Sequence, residues 1–362
     1  MKLLKFFMML LTLILCSNKF VYSGFTSEDI TFEHPNAKLA GTLTLPDSGS
    51  NFPAIILISG SGQQNRDEEI FGFKLFKIIA EHFSNNGIAV LRYDDRGIGG
   101  SKGDVKNATT ADFAEDTKAA LEYLKTRTEI NKKKIGLLGH SEGGIIATIV
   151  ASKSNDIAFI IFMASPAFSG EKILNYQVEK YLKLQEKPDS VIQEALKLQN
   201  LVYKVAKEDK GWEELEEKMV KANIEAINDM PQEKKKFITD PEKYSKYQVK
   251  AELYKVKSNW FKFFVEYDPY EDLRKIKCPV LAVFGGLDTQ VEAEPNARRM
   301  EEALNNGVCI DFLTRVFWDA NHLFQEAKTG SVEEYATLKK EFFPGFIEYI
   351  TGWLNHTINK FK

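Results

Sequence analysis

The chain has 362 residues, 44% of them hydrophobic and 27% charged, with 48 basic against 51 acidic side chains and a formal net charge of -3. That balance describes a globular chain with a sizeable core; it excludes a disordered polymer and, with no basic stripe or tail, a nucleic-acid binder. Three cysteines are too few for a disulfide framework, and five histidines without an H-E-x-x-H spacing leave a metal hydrolase without its ligands.

The first segment reads as an address. Met1, Lys2 and Lys5 open a short basic region, residues 3–16 are an almost unbroken apolar run, and Val21-Tyr22-Ser23 sets up a signal-peptidase site before Gly24. Residues 1–23 are therefore expected to be a cleavable signal peptide, and the mature chain a secreted or periplasmic protein. The run is short for a membrane span, and no later one has spanning length. Lipid anchoring at Cys16 is disfavoured because Leu15 before it is too large for a good lipidation site. Cys278 and Cys309 both flank predicted core strands and are expected as buried free thiols.

In the mature chain, 30–34 and 38–45 predict two short strands joined at Pro35-Asn36. Residues 53–59 form a continuous apolar run, as in a strand buried on both faces, and end in Gly60-Ser61-Gly62. A helix is expected over 73–86, stopped by Gly87. A second buried strand over 88–93 ends in Asp94-Asp95-Arg96-Gly97, and an amphipathic helix follows over 111–127.

The stretch K-I-G-L-L-G-H-S-E-G-G-I-I-A over 134–147 organises the rest. A short apolar run passes through G-H-S-E-G directly into helical spacing, which predicts strand, sharp turn and helix with Ser141 at the apex. A serine raised for attack sits at positive φ, where strand and helix pass very close. Gly139 and Gly143 leave room where a Cβ would collide. The N–H of Glu142 then faces the reacting oxygen from the positive end of a helix, so Glu142 is expected to serve through its backbone, its acidic side chain merely favourable at a helix start.

After a strand over 158–164 the composition changes. Residues 168–272 hold 19 lysines, no arginine, 21 acids and only two glycines. Val191, Ala195, Leu198, Val202 and Val205 recur at three or four, as do Trp212, Leu215, Met219 and Ala222, so the segment reads as a helical insertion with packed seams. The strand–helix rhythm resumes at 279–284, followed by Gly285-Gly286-Leu287-Asp288. A helix over 293–305, a strand over 309–317, the loop Trp318 to His322 and a closing helix over 332–354 complete the chain. Strands alternating with helices imply an α/β fold with a mostly parallel sheet covered on both sides.

A serine hydroxyl needs a base, and the base needs a partner that holds its tautomer. Of the histidines, His34 lies in a hairpin, His82 in a helix, His140 inside the elbow and His356 in the tail. Only His322 follows a late strand in a loop. Asp288 also lies just past a strand end, so Ser141, Asp288 and His322 form the candidate triad. Asp319, three residues from His322, is the rival orienting acid. A second oxyanion donor is expected from Ser61 or Gly62, beside the N–H of Glu142.

On these residues the chain resembles α/β-hydrolase-fold serine esterases over nearly the whole mature sequence. It is more closely similar to the bacterial carboxylesterase branch with G-S-G-x-x-x-R-D after the third strand, here Gly60-Ser61-Gly62-Gln63-Gln64-Asn65-Arg66-Asp67. The likeness extends to Tyr93-Asp94-Asp95-Arg96-Gly97 and to the aromatic stretch from Trp260-Phe261 to Tyr267-Asp268-Pro269. It implies an α/β-hydrolase core over 24–167 and 273–362 with a helical cap over 168–272, activity on short-acyl esters, and no cofactor. Ser59 departs from it, since many relatives carry histidine before the glycine. Arg66, Asp67, Asp94, Asp95 and Arg96 are expected to hold loops. Trp260, Phe261 and Phe264 are expected to wall the acyl group. The expected partner is a small-molecule ester, with no nucleic acid and no membrane span. A serine aminopeptidase, an acyltransferase and a non-catalytic binding protein on the same fold are the alternatives; the last usually lacks a triad member, and none is missing here.

Overall fold

The apolar runs become strands of one sheet in the computed structural model, which describes residues 24–360, the side chain of Lys234 excepted. The expected signal peptide lies outside the described residues. In chain order the strands are β1 (Phe25–His34), β2 (Ala37–Pro46), β3 (Phe52–Ile58), β4 (Glu69–Ile70), β5 (Phe73–Lys74), β6 (Ala89–Tyr93), β7 (Lys102–Gly103), β8 (Ile130–His140), β9 (Ile160–Met163), β10 (Val280–Gly285) and β11 (Phe312–Phe317). The main sheet runs β1-β2-β6-β3-β8-β9-β10-β11, with β7 on β2. Every pairing from β6 to β11 is parallel, while β2 pairs antiparallel with β1 and β6.

Helices cover both faces. Alternating residues of each strand feed two cores: Ile56, Leu91, Leu137, Ile160 and Ala282 on one side, Ile55, Val90, Leu138, Ile161 and Leu281 on the other. The helices Thr110–Thr126, Glu142–Lys153 and Ala293–Asn305 pack on the first; Leu75–Asn85 and Phe346–Lys360 pack on the second. Strands buried on both faces need the continuous apolar runs that the sequence carries. Thr110–Thr126 starts where a capping box allows it: Thr109 and Asp112 exchange side-chain and backbone hydrogen bonds.

Between β9 and β10 the chain forms the helices Gly170–Leu184, Asp189–Glu208, Trp212–Asn228, Gln232–Lys235, Pro241–Val256, Asn259–Glu266 and Tyr270–Leu273. Asp189–Glu208, Trp212–Asn228, Pro241–Val256 and Asn259–Glu266 share a core of their own, in which Val202, Tyr203, Leu215, Val249, Leu253 and Phe261 are buried together. Of the apolar spacing seen in sequence, Val202, Val205 and Leu215 face this core, whereas Val191 is exposed.

The charged loop residues hold the sheet's edge loops. Arg66 grips Asp94 through Nε to Oδ1 at 3.1 Å and a terminal nitrogen to Oδ2 at 2.8 Å. Arg96 forks onto Asp116 with two 2.8 Å bonds, Arg92 pairs with Asp67, and Asp95 accepts from Ser59 Oγ at 2.8 Å. Planar bidentate pairs fix geometry as well as charge.

One expected element differs and one element was not expected. The closing helix is not continuous over 332–354: a short 3-10 turn, Val332–Glu334, is followed by irregular chain, and the helix begins at Phe346. Pro344 cannot donate to a helix ladder, and Gly345 at φ 80 breaks what precedes it. The small hairpin β4–β5 also went unseen, because its turn is made by Phe71 at φ 49 followed by Gly72. Among the described residues Cys278 and Cys309 are free thiols, Cys309 buried as expected and Cys278 only partly so.

Candidate active site

β8 delivers the serine. Ser141 has φ 54 and ψ -122 and directly precedes the helix Glu142–Lys153. A Cβ on Gly139 would strike the main chain of Gly143, and one on Gly143 would strike the carbonyl of Ile58. The strain at Ser141 is held by its N–H, which donates to the Met163 carbonyl at 2.8 Å, and by its carbonyl, which accepts from Gly144 N–H at 2.9 Å.

β10 and β11 deliver the other two groups. A Cβ on Gly285 would collide with the carbonyls of Ala320 and Asn321, so only glycine lets the loop after β11 lie against the end of β10. Asp288 Oδ1 accepts from the N–H groups of Gln290 and Val291 at 2.7 and 2.9 Å. Its Oδ2 is 2.7 Å from His322 Nδ1. That contact assigns the imidazole proton to Nδ1 and leaves the Nε2 lone pair free. Asn321 Oδ1 accepts from Leu323 and Gln325 N–H, each at 2.9 Å, and closes the loop that presents His322. Asp288 and His322 are 2% and 3% exposed, so their hydrogen bond is shielded from competing water.

Ser141 and His322 open together onto a cavity of about 350 Å³. Among the sequence candidates, Ser61, Glu142, Trp260 and Phe264 also line it. Gly62, at φ 101, is not on its wall, and neither is Phe261, which packs against Tyr203 with ring centroids 6.3 Å apart. The helix spacing explains Phe261: it points to the core of the inserted helices, while Trp260 and Phe264 stack at 5.2 Å on the cavity side. Asp319 is exposed and makes no hydrogen bond to His322 among the described residues; its carbonyl accepts from Ala327 N–H.

Glu142 corrects the sequence reading. Its carboxylate is buried and accepts from Ser61 Oγ at 2.6 Å, Thr110 Oγ1 at 2.7 Å and Trp260 Nε1 at 2.8 Å. Burial pushes its carboxyl above the usual range, against the pull of those three donors. The side chain thus joins the Gly60–Gly62 turn, a core helix and the inserted helices. Its backbone N–H lies in the first helical turn, where no intrahelical acceptor exists. Gly60 N–H is already committed, donating to Glu68 Oε1 at 2.7 Å, so the turn's remaining donor on the cavity is Ser61 N–H.

Glu68 and His140 were missed as site residues. His140 Nδ1 lies 2.8 Å from Glu68 Oε1, and Nε2 lies 3.0 Å from the His322 carbonyl. Nothing in an R-D-E-E run marks one acid as buried, and the position of His140 inside the elbow hid its contacts. Neither free thiol is on the cavity wall; burial pushes Cys278 up to about 12. Among the described residues no group of three or more His, Cys, Asp and Glu gathers as metal ligands, and no helix is long and apolar enough to cross a membrane.

Comparison with known proteins adds a family to this geometry. Residues 73–316 match the family described as serine aminopeptidase, S33, a span that includes Ser141 and Asp288 and stops short of His322. Esterase EstD of Thermotoga maritima is 28% identical over 331 residues, 91% of this chain and 68% of its own. An acyl transferase of Photorhabdus luminescens is 30% identical over 198 residues, 52% of this chain and 60% of its own. Among solved structures, the Pyrococcus furiosus esterase Pf2001 superposes with a TM-score of 0.56 at 17% identity, covering 93% of this chain and 91% of its own, a likeness of fold.

Proposed function

This chain belongs to the serine aminopeptidase S33 family of α/β hydrolases, and on that basis we propose that it is a serine hydrolase cleaving short-acyl carboxylic esters through an acyl-enzyme. The observation that carries the reading is His322, oriented by Asp288 at 2.7 Å and sharing one cavity with Ser141 at its strained turn. Ser141 Oγ attacks the ester carbonyl while His322 Nε2 takes its proton. The N–H groups of Glu142 and Ser61 receive the developing oxyanion. As the tetrahedral intermediate collapses, His322 returns the proton to the leaving alcohol, and a water activated the same way frees the acid.

Esters are favoured over aminoacyl substrates by what surrounds the cavity. A substrate ammonium needs an accessible carboxylate, but Glu68 and Glu142, the acids at the wall, are 0% and 2% exposed. Fluorophosphonate labelling of the purified protein, then esters compared with aminoacyl amides, tests the reading. Faster turnover of the amides would replace it with an aminopeptidase.

The inserted helices act as a cap, with Trp260 and Phe264 as the acyl wall beside Ile173 and Leu174. One methylene in such a pocket is worth about 1–3 kcal/mol. Phe264→Ala is expected to shift the ranking of acetyl, butyryl and hexanoyl esters toward the longer acyl groups, read from kcat/KM for each. An unchanged ranking at normal stability would put the acyl wall elsewhere. Trp260→Phe keeps an aromatic ring but loses the bond to Glu142, so it separates packing from hydrogen bonding.

Export completes the proposal. The exported protein is expected to start at or near Gly24 by intact-mass measurement. A lipid-modified Cys16 at its N-terminus would overturn this.

A further inference from the structure

Behind Ser141 and His322 lies a pair that the ester-hydrolysis steps do not use. Glu68 is 0% and His140 1% exposed. His140 Nε2 faces the His322 carbonyl, which can only accept, so Nε2 carries a proton. Nδ1 faces Glu68 Oε1 at 2.8 Å, and one further proton must lie between those two atoms. Glu68 Oε1 also accepts from Gly60 N–H at 2.7 Å. One buried pair therefore touches three parts of the site: the strand end that carries Ser141, the main chain of the base, and the turn that offers Ser61 N–H.

We propose that Glu68 and His140 are a positioning unit that shares one proton and fixes the His322 main chain and the Gly60 turn relative to each other across the serine. The unit acts through its neighbours and touches no substrate. Glu68 keeps its backbone at φ 46, a conformation that costs energy and persists only where the surroundings impose it. The groups facing His140 are Glu68, the His322 ring, with centroids 4.8 Å apart, and beyond it Asp288. Burial, the largest influence, opposes a charged ring. The charge and hydrogen bond of Glu68 and the His322 carbonyl nevertheless raise His140 above the ordinary imidazole value. A group raised on folding contributes fully below its unfolded value, about 6.5, and its contribution is lost as pH climbs through the folded value. The unit should thus fail on the alkaline side.

The test uses the mature chain with Glu68→Gln, which is nearly isosteric, with His140→Gln, and with both. Active sites are counted by fluorophosphonate titration so that misfolded molecules do not contribute. Each single variant is expected to lose about 100-fold in kcat per labelled site, the cost of a small misplacement, with KM within about threefold. The double variant should be no worse than the worse single one, as for groups acting together. In Glu68→Gln the alkaline fall in kcat should move to lower pH, because His140 loses the carboxylate that retains its proton. An unchanged kcat per labelled site, even with a lowered Tm, would overturn the proposal, as would an alkaline limb that does not move. The inference rests on His322 being the base; if that reading fails, His322→Ala keeps the parent's labelling and turnover, and the unit has no base to position.

Discussion

Ser141→Ala is expected to abolish fluorophosphonate labelling and to lower ester turnover by about 10⁶-fold, the scale on which serine hydrolases lose kcat with their nucleophile. The fold should survive. Among the described residues Ser141 Oγ makes no hydrogen bond, and the turn is held through main-chain contacts to Met163 and Gly144 that alanine keeps. The strain is separable from the chemistry. Alanine has the same Cβ at φ 54 and inherits the cost, on the order of 1–3 kcal/mol, whereas glycine does not. Ser141→Gly should therefore be equally inactive and melt above Ser141→Ala. Label appearing on another serine of the alanine variant would remove Ser141 from the nucleophile's role.

Asp288→Asn is expected to cost about 10⁴-fold in kcat, because an amide facing Nδ1 no longer selects the tautomer that leaves Nε2 basic. The two N–H groups of Gln290 and Val291 make the change sharper: they suit an acceptor at Oδ1 and would turn the amide nitrogen toward His322. Asp319→Asn should leave kcat within about twofold, since an exposed loop acid without a buried partner has little to lose. Kinetics of the two variants on one ester decide the matter. The reverse ranking would transfer the orienting role to Asp319.

The parts legible in sequence are those dictated by local physics. Strands buried on both faces announce themselves as apolar runs, and the elbow by two glycines that no other residue can replace. That Asp288 and His322 come together could be read because both follow strands of a parallel sheet, whose carboxyl ends share one edge. The illegible parts depend on contacts across the chain. Glu68 meets a histidine 72 residues away, and Glu142 meets Thr110 and Trp260 from opposite sides in sequence. Phe261 was misplaced for a different reason: an aromatic cluster signals burial but not which side of a helix serves which core. The final helix starts late because the apolar pattern before Phe346 ignored Pro344 and Gly345.

The Trp260–Glu142 hydrogen bond has a consequence for how the molecule breathes. Lifting the helix Asn259–Glu266 away from the sheet would break that bond and leave Glu142 Oε1 with Thr110 Oγ1 as its donor. The loss of one such hydrogen bond costs about 0.5–1.5 kcal/mol, more if the acceptor is charged. The tether therefore opposes opening at this helix, and the cavity's more exposed wall is where Phe71 and Val332 stand, 55% and 42% exposed. The same tether makes the inserted helices poor interchangeable parts: a graft from a relative would have to bring an indole, or another donor, to the same spot.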